Sequence, residues 1–238
     1  MMRAGRSGAG FGSLLASLSP AARQVAGRRY WLVPLLPLLW PILLYVLQFT
    51  SQDSSGYSSA SAQGLLLGLP LSAIGVFLGI RVIAGEIDRR TLEIAYTVPG
   101  GAYRIWTSKL VAAALLLALA TLLLAAAVFV LLTDFPLEAL YSAYQTALLF
   151  LVLATGFGAL FKGGISGALA TAAVLIVAFV FSQLPFSPFW SPLFEPWKDA
   201  TVLQASWIKN RIGYLLLIGV LTALAFSRAE RREKMLGH

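Results

Sequence analysis

The residues best suited to chemistry form one run, Gly85-Glu86-Ile87-Asp88-Arg89-Arg90-Thr91-Leu92-Glu93-Ile94-Ala95-Tyr96-Thr97-Val98-Pro99, in which charges of both signs are packed densely before the chain turns apolar. Such a run suits ion pairs and charge-assisted hydrogen bonds with another polar surface, not bond breaking, because no activated nucleophile stands beside a base. Thr91 can cap a short helix whose first turn holds Glu93, and Pro99-Gly100-Gly101 stops it. Ile87, Ile94 and Val98 then share roughly one stripe, so the helix has one apolar face and one charged face.

Elsewhere the means for catalysis are missing. Cys is absent, which excludes thiolate ligands, disulfides and a cysteine nucleophile. His238, the single histidine, cannot build a metal site alone. A phosphate-cradling G-x-x-x-x-G-K-[ST] loop does not occur, and the nearest approach, Gly158 to Lys162, lacks its spacing and its hydroxyl. Within the long uncharged stretches there are no paired carboxylates, no Ser and His pair and no buried lysine, which argues against proton or sodium coupling. Backbone carbonyls remain able to hold sodium. The expectation is a chain that is not an enzyme, with no cofactor or metal of its own.

The elements that carry this run are set by apolarity. Of 238 residues, 58% are hydrophobic and 12% charged, more apolar surface than a soluble domain of this size can hide. Uncharged stretches of roughly 20 residues match a bilayer core of ~30 Å at ~1.5 Å per residue. Six are expected, at about 31–50, 64–84, 110–133, 139–161, 164–181 and 212–227. The last is short, so Arg211 and Arg228 must snorkel for it to span. The first is too long for a signal-peptide core, and the small-residue motif Ala60-Ser61-Ala62 lies well past it. Residues 1–30 form a basic amphipathic segment in which Phe11, Leu14, Leu15, Leu18, Ala22 and Val25 keep helical spacing, Ser19-Pro20 reading as a helix start. It is expected to lie on the membrane surface, with 228–238 as a polar tail.

All but Lys198, Lys209 and Arg211 of the 18 Lys and Arg fall on the N-terminal side of this arrangement, so both termini are expected in the cytoplasm, with the chain in the cytoplasmic (inner) membrane. The positives then meet lipid headgroups, and a nucleic-acid partner is not expected. Gly64, Gly68, Ser72, Gly75 and Gly79 recur closely enough for tight helix packing, inside the chain or against a second subunit. Between the fifth and sixth runs, Phe186, Phe189, Trp190, Phe194, Trp197 and Trp207 alternate with prolines, the chemistry of an outer membrane interface. An ordinary interfacial loop fits that segment.

With these features together, the chain resembles the permease subunits of ABC-2 type transporters. The resemblance rests on Gly85-Glu86, the charges from Asp88 to Arg90, Thr91-Leu92-Glu93 and Pro99 between the second and third spans, followed by Arg104 and Lys109; the layout agrees over nearly the whole chain. It implies six spans, a cytoplasmic coupling helix docking on a separate ATP-binding subunit and, as the alternative to an interfacial loop over 182–210, short re-entrant helices whose aromatics form an outer gate. Glu86, Asp88, Arg89, Arg90 and Glu93 would make the polar contacts there, with Thr91 as the cap and Leu92, Ile94, Val98 and Pro99 completing the helix. ATP and Mg would be held by that partner, a second permease would complete the path, and export would be the usual direction. An ATP-independent carrier or channel, and a membrane-embedded enzyme or assembly factor, are the competing readings. Neither the cargo nor the identity of the second permease can be read from these residues.

Overall fold

A computed structural model of the chain describes residues 11–50, 57, 62–88, 91, 101–182 and 204–230, and every regular element among them is helical. In order these are α1 (Phe11–Ala26), α2 (Tyr30–Thr50), α3 (Ala62–Gly79), α4 (Ala84–Asp88), α5 (Gly101–Leu131), α6 (Leu137–Leu160), α7 (Gly164–Ser182) and α8 (Gln204–Glu230). Five are long and apolar enough to cross a membrane: α2, α3, α5, α6 and the Trp207–Glu230 part of α8. The chain is thus an all-α protein of the polytopic membrane type. The expectation of a short last span is corrected, because the polar residues before Ile212 continue the helix and α8 reaches 27 residues. The short apolar stretch lies instead in α7, at Gly164–Ala178.

Local sequence explains the irregularities. In α1 the helix starts at Phe11 and carries Pro20 inside, not at its first turn as Ser19-Pro20 suggested. It ends where Gly27 takes φ +84°, a conformation glycine adopts without strain, and the Gly27 N–H closes on the Arg23 carbonyl at 2.9 Å. Pro34 and Pro37 lack the N–H that an α-helix needs, and Tyr30–Leu38 winds as a 3-10 helix before Leu39–Thr50 becomes α-helical. α3 opens with a π-helical stretch, Ala62–Gly68, and a Cβ on Gly68 would collide with the Gln63 carbonyl oxygen. The second run ends sooner than expected: α3 stops at Gly79, and a turn leads into α4.

Helix α6 is the hub, packed against α3, α5, α7 and α8. A Cβ on Gly75 would strike the Ala147 carbonyl, and one on Gly79 would strike the Leu151 carbonyl and come within 2.8 Å of the Ala154 Cβ. The Ala84 Cβ lies 3.0 Å from where a Cβ on Gly158 would sit. Contacts ascend together along both chains, so α3 and α6 run parallel. Pairs Ser142 with Trp207, Gln145 with Arg211 and Gly156 with Ala225 place α8 parallel to α6 as well. In α7, Gly167 meets Gly158 in an antiparallel hairpin after the Phe161–Lys162–Gly163 turn. The Tyr144 hydroxyl donates to the Ala114 carbonyl at 3.4 Å, consistent with α5 running against α6. α1 lies along α5, burying Ala21, Ala22 and Val25.

Candidate coupling site at the start of the charged segment

The charged run begins as helix, not loop: Ala84–Asp88 is α4, and the Thr91 N–H and hydroxyl both turn back to the Glu86 carbonyl, at 2.9 and 3.4 Å. Thr91 therefore closes α4. Whether it also opens a second helix falls among residues 92–100, outside the described ones, as do Arg89, Arg90, Leu92, Glu93, Ile94, Val98 and Pro99.

Glu86 does not face outward for a partner. Its carboxylate accepts the Lys109 ammonium on one oxygen and the Trp106 indole N–H on the other, the latter at 3.1 Å. Lys109 is 4% exposed, Glu86 12% and Trp106 fully buried, so this is an ion pair inside the protein, where each charge relies on the other for what water would supply. It exists because α5 begins at Gly101, before its uncharged part, which puts Trp106 and Lys109 one turn apart on the face against α4. By sequence alone Lys109 is a basic flank before the membrane; the indole three residues earlier marks an apolar face of the helix but does not name Glu86 as the partner.

Asp88 is engaged internally too. The Gly164 N–H donates to its carboxylate, at 3.2 and 3.4 Å to the two oxygens, so Asp88 caps the first turn of α7, where the helix dipole favours negative charge. Around this corner Arg81 lies 4.4 Å over the Phe77 ring and reaches the Val25 carbonyl in the last turn of α1 at 3.5 Å. Phe226 of α8 sits edge-on to Tyr103 at 5.3 Å and 6.2 Å from Trp106. Through Glu86 and Asp88 the five-residue α4 is thereby tied to α5 and α7, and α5 in turn packs on α1 and α8.

At the opposite end of the bundle the structure reveals a group that sequence reasoning missed. Arg211, expected to snorkel, is 3% exposed, as is its neighbour Asn210. Because α8 already begins at Gln204, Arg211 stands in its second turn, against α6. There the Gln145 amide donates to the Arg211 carbonyl at 2.6 Å, and the guanidinium reaches the Gln145 Oε1 at 3.5 Å. Trp207, named with the outer aromatics, donates its indole N–H to the Ser142 hydroxyl at 3.1 Å and packs T-shaped on Tyr141. It pins the start of α8 to α6. The other outer aromatics, Phe186, Phe189, Trp190, Phe194 and Trp197, lie outside the described residues.

The small-residue ladder divides by role. Gly75 and Gly79 admit the α6 backbone, Ser72 is buried, Gly68 serves the π-helical stretch, and Gly64 is half-buried. In Gly75 and Gly79, the close packing is inside the chain. Compared with known proteins, the chain matches no family model, no curated protein and no solved structure.

Proposed function

We propose that the chain is the membrane subunit of an ATP-driven transporter of the ABC-2 permease type, an exporter working as a pair of permeases with separate ATP-binding subunits. On this reading residues 86–99 form the coupling segment, ATP and Mg are held and hydrolysed on the partner, and this chain performs no catalysis. Six crossings follow if α7 counts as the fifth: its 19 residues rise ~28 Å, and it returns the chain so that α8 can run parallel to α6. Both termini are then cytoplasmic, in the inner membrane.

The observation that carries the proposal is the double anchoring of α4, Glu86 to Lys109 and Trp106 on α5 and Asp88 to the first turn of α7. A merely solvated loop needs neither contact. A segment that must pass a push from an ATPase into the bundle needs a stiff root, and the internal carboxylates supply it, leaving Arg89, Arg90 and Glu93 as the residues for the partner. The test is co-purification, from mild detergent, with the ATPase encoded nearest the gene, together with transport by an Arg89→Glu, Arg90→Glu variant. A stable complex that the charge reversal disrupts supports the proposal. No complex, with transport untouched by the reversal, refutes it.

A second reading, an ATP-independent carrier, draws on Arg211 buried beside Gln145 and Asn210, polar chemistry that such carriers use. Reconstituted chain alone moving cargo down a gradient, with Arg211→Met abolishing it, would favour that reading.

A further inference from the structure

Between α6 and α8, at the end of the bundle that also carries Lys109 and Phe226, lies a groove of about 380 Å³. Its walls are apolar, from Val152, Gly156 and Leu160 on one helix and Leu221, Leu224 and Ala225 on the other. Gly156 and Ala225, both small, face each other in it, with 3.7 Å between the Ala225 Cβ and the place of a Gly156 Cβ, which leaves the slot unfilled. It stays open along its rim, where Leu160 and Leu224 are exposed. Val152 to Leu160 covers ~12 Å of helix, close to the depth of one leaflet's hydrocarbon.

Among the described residues, one charged side chain lines it. Arg228 stands at the end of the groove nearest the helix terminus, and its Nε is buried without a hydrogen-bond partner among the described residues. Ser227 beside it is exposed, and its hydroxyl donates to its own helix, at the Leu224 carbonyl, at 3.0 Å. Glu230 is exposed and two positions on, roughly 200° around the helix, so it does not neutralise Arg228 across the groove. A buried guanidinium N–H needs an acceptor, and a guanidinium at the mouth of an apolar slot pairs best with a planar or tetrahedral oxyanion attached to a hydrocarbon.

We propose that this groove binds one anionic phospholipid, with an acyl chain between α6 and α8 and the phosphodiester on Arg228. Basic residues at the end of an interhelical slot are the chemistry by which such headgroups are held. The inference stands apart from the transport reading, since it uses neither α4 nor a partner subunit.

Native mass spectrometry of the full chain, released from mild detergent and titrated with phosphatidylglycerol or phosphatidylcholine of matched chains, tests it. The expected result is one retained phosphatidylglycerol bound about tenfold more tightly than phosphatidylcholine, the difference a single charge-assisted contact makes. Arg228→Ala removes that preference and Arg228→Lys keeps part of it. Leu224→Trp, which fills the groove from its exposed rim, weakens both lipids. Glycerol phosphate, which lacks the chain, does not compete. The proposal is overturned if the wild type retains neither lipid, if the preference survives Arg228→Ala, or if glycerol phosphate displaces the lipid. It is also overturned if Leu224→Cys, the single thiol in a chain without cysteine, cross-links two copies in native membranes, because the groove is then covered by protein.

Discussion

Replacing Glu86 by Gln, Lys109 by Met, and both together, tests whether the root of the charged segment is a desolvated ion pair. With Lys109 4% and Glu86 12% exposed, solvent screening is slight, and a surface-pair value below 1 kcal/mol does not apply. Removing one partner of a buried pair costs about 3–5 kcal/mol, because the other charge is left without compensation. Lys109→Met is expected at the lower end, since Glu86 keeps the Trp106 N–H, a contact of about 1–2 kcal/mol. Glu86→Gln is expected nearer the middle, because the ammonium at 4% exposure loses its anion. The double variant carries no charge at the site and should lie within about 2 kcal/mol of the wild type, giving a coupling energy of at least ~2 kcal/mol. Reversible unfolding in mixed micelles, followed by tryptophan fluorescence, measures all four corners of the cycle. If the two single effects add to within about 0.5 kcal/mol, the carboxylate and ammonium are not coupled, and the rigid root inferred for α4 has no basis.

Other substitutions read different parts of the design. Gly79→Ala places a Cβ against the Leu151 carbonyl, a helix backbone that cannot give, and should destabilise by about 1–3 kcal/mol, whereas Gly219→Ala meets nothing within 4 Å and should stabilise by about 0.5–1 kcal/mol in the same assay. Asp88→Ala strips the cap from α7 and should cost about 1 kcal/mol, with Asp88→Asn costing less because an amide oxygen still accepts the Gly164 N–H; hydrogen exchange at the start of α7 reports it. Lys162 sits at φ +54°, a conformation that strains an L side chain, so Lys162→Gly should raise stability by about 1 kcal/mol, measurable as a shift in the same unfolding curve.

Much of this architecture is legible without coordinates, because lipid leaves few choices. A backbone that cannot hydrogen-bond to its surroundings must form helices, and uncharged stretches of fixed length mark where they lie. The order of the spans, the tight turn at Lys162-Gly163 and the close packing at Gly75 and Gly79 all follow from composition and spacing. The concentration of chemistry in the 85–99 run is equally plain. Helix ends are less legible, since polar residues such as Asn210 and Arg211 look like a loop yet extend α8 inward when a neighbour offers partners. Pro20 misleads for a related reason: a helix tolerates it inside when the preceding turn is free to relax.

Which charges face inward could only be decided in three dimensions. Nothing in the order Glu86, Trp106, Lys109 says that they meet, because the pairing depends on α4 turning after Gly79 and on α5 starting at Gly101. The same holds for Asp88 and Gly164, 76 positions apart, and for Gln145 and Arg211, 66 apart. Sequence by itself determined which segments leave water, a local property summed over each stretch. Tertiary structure decided which polar groups left water with them, because a buried charge is tolerated only where a distant residue supplies its partner.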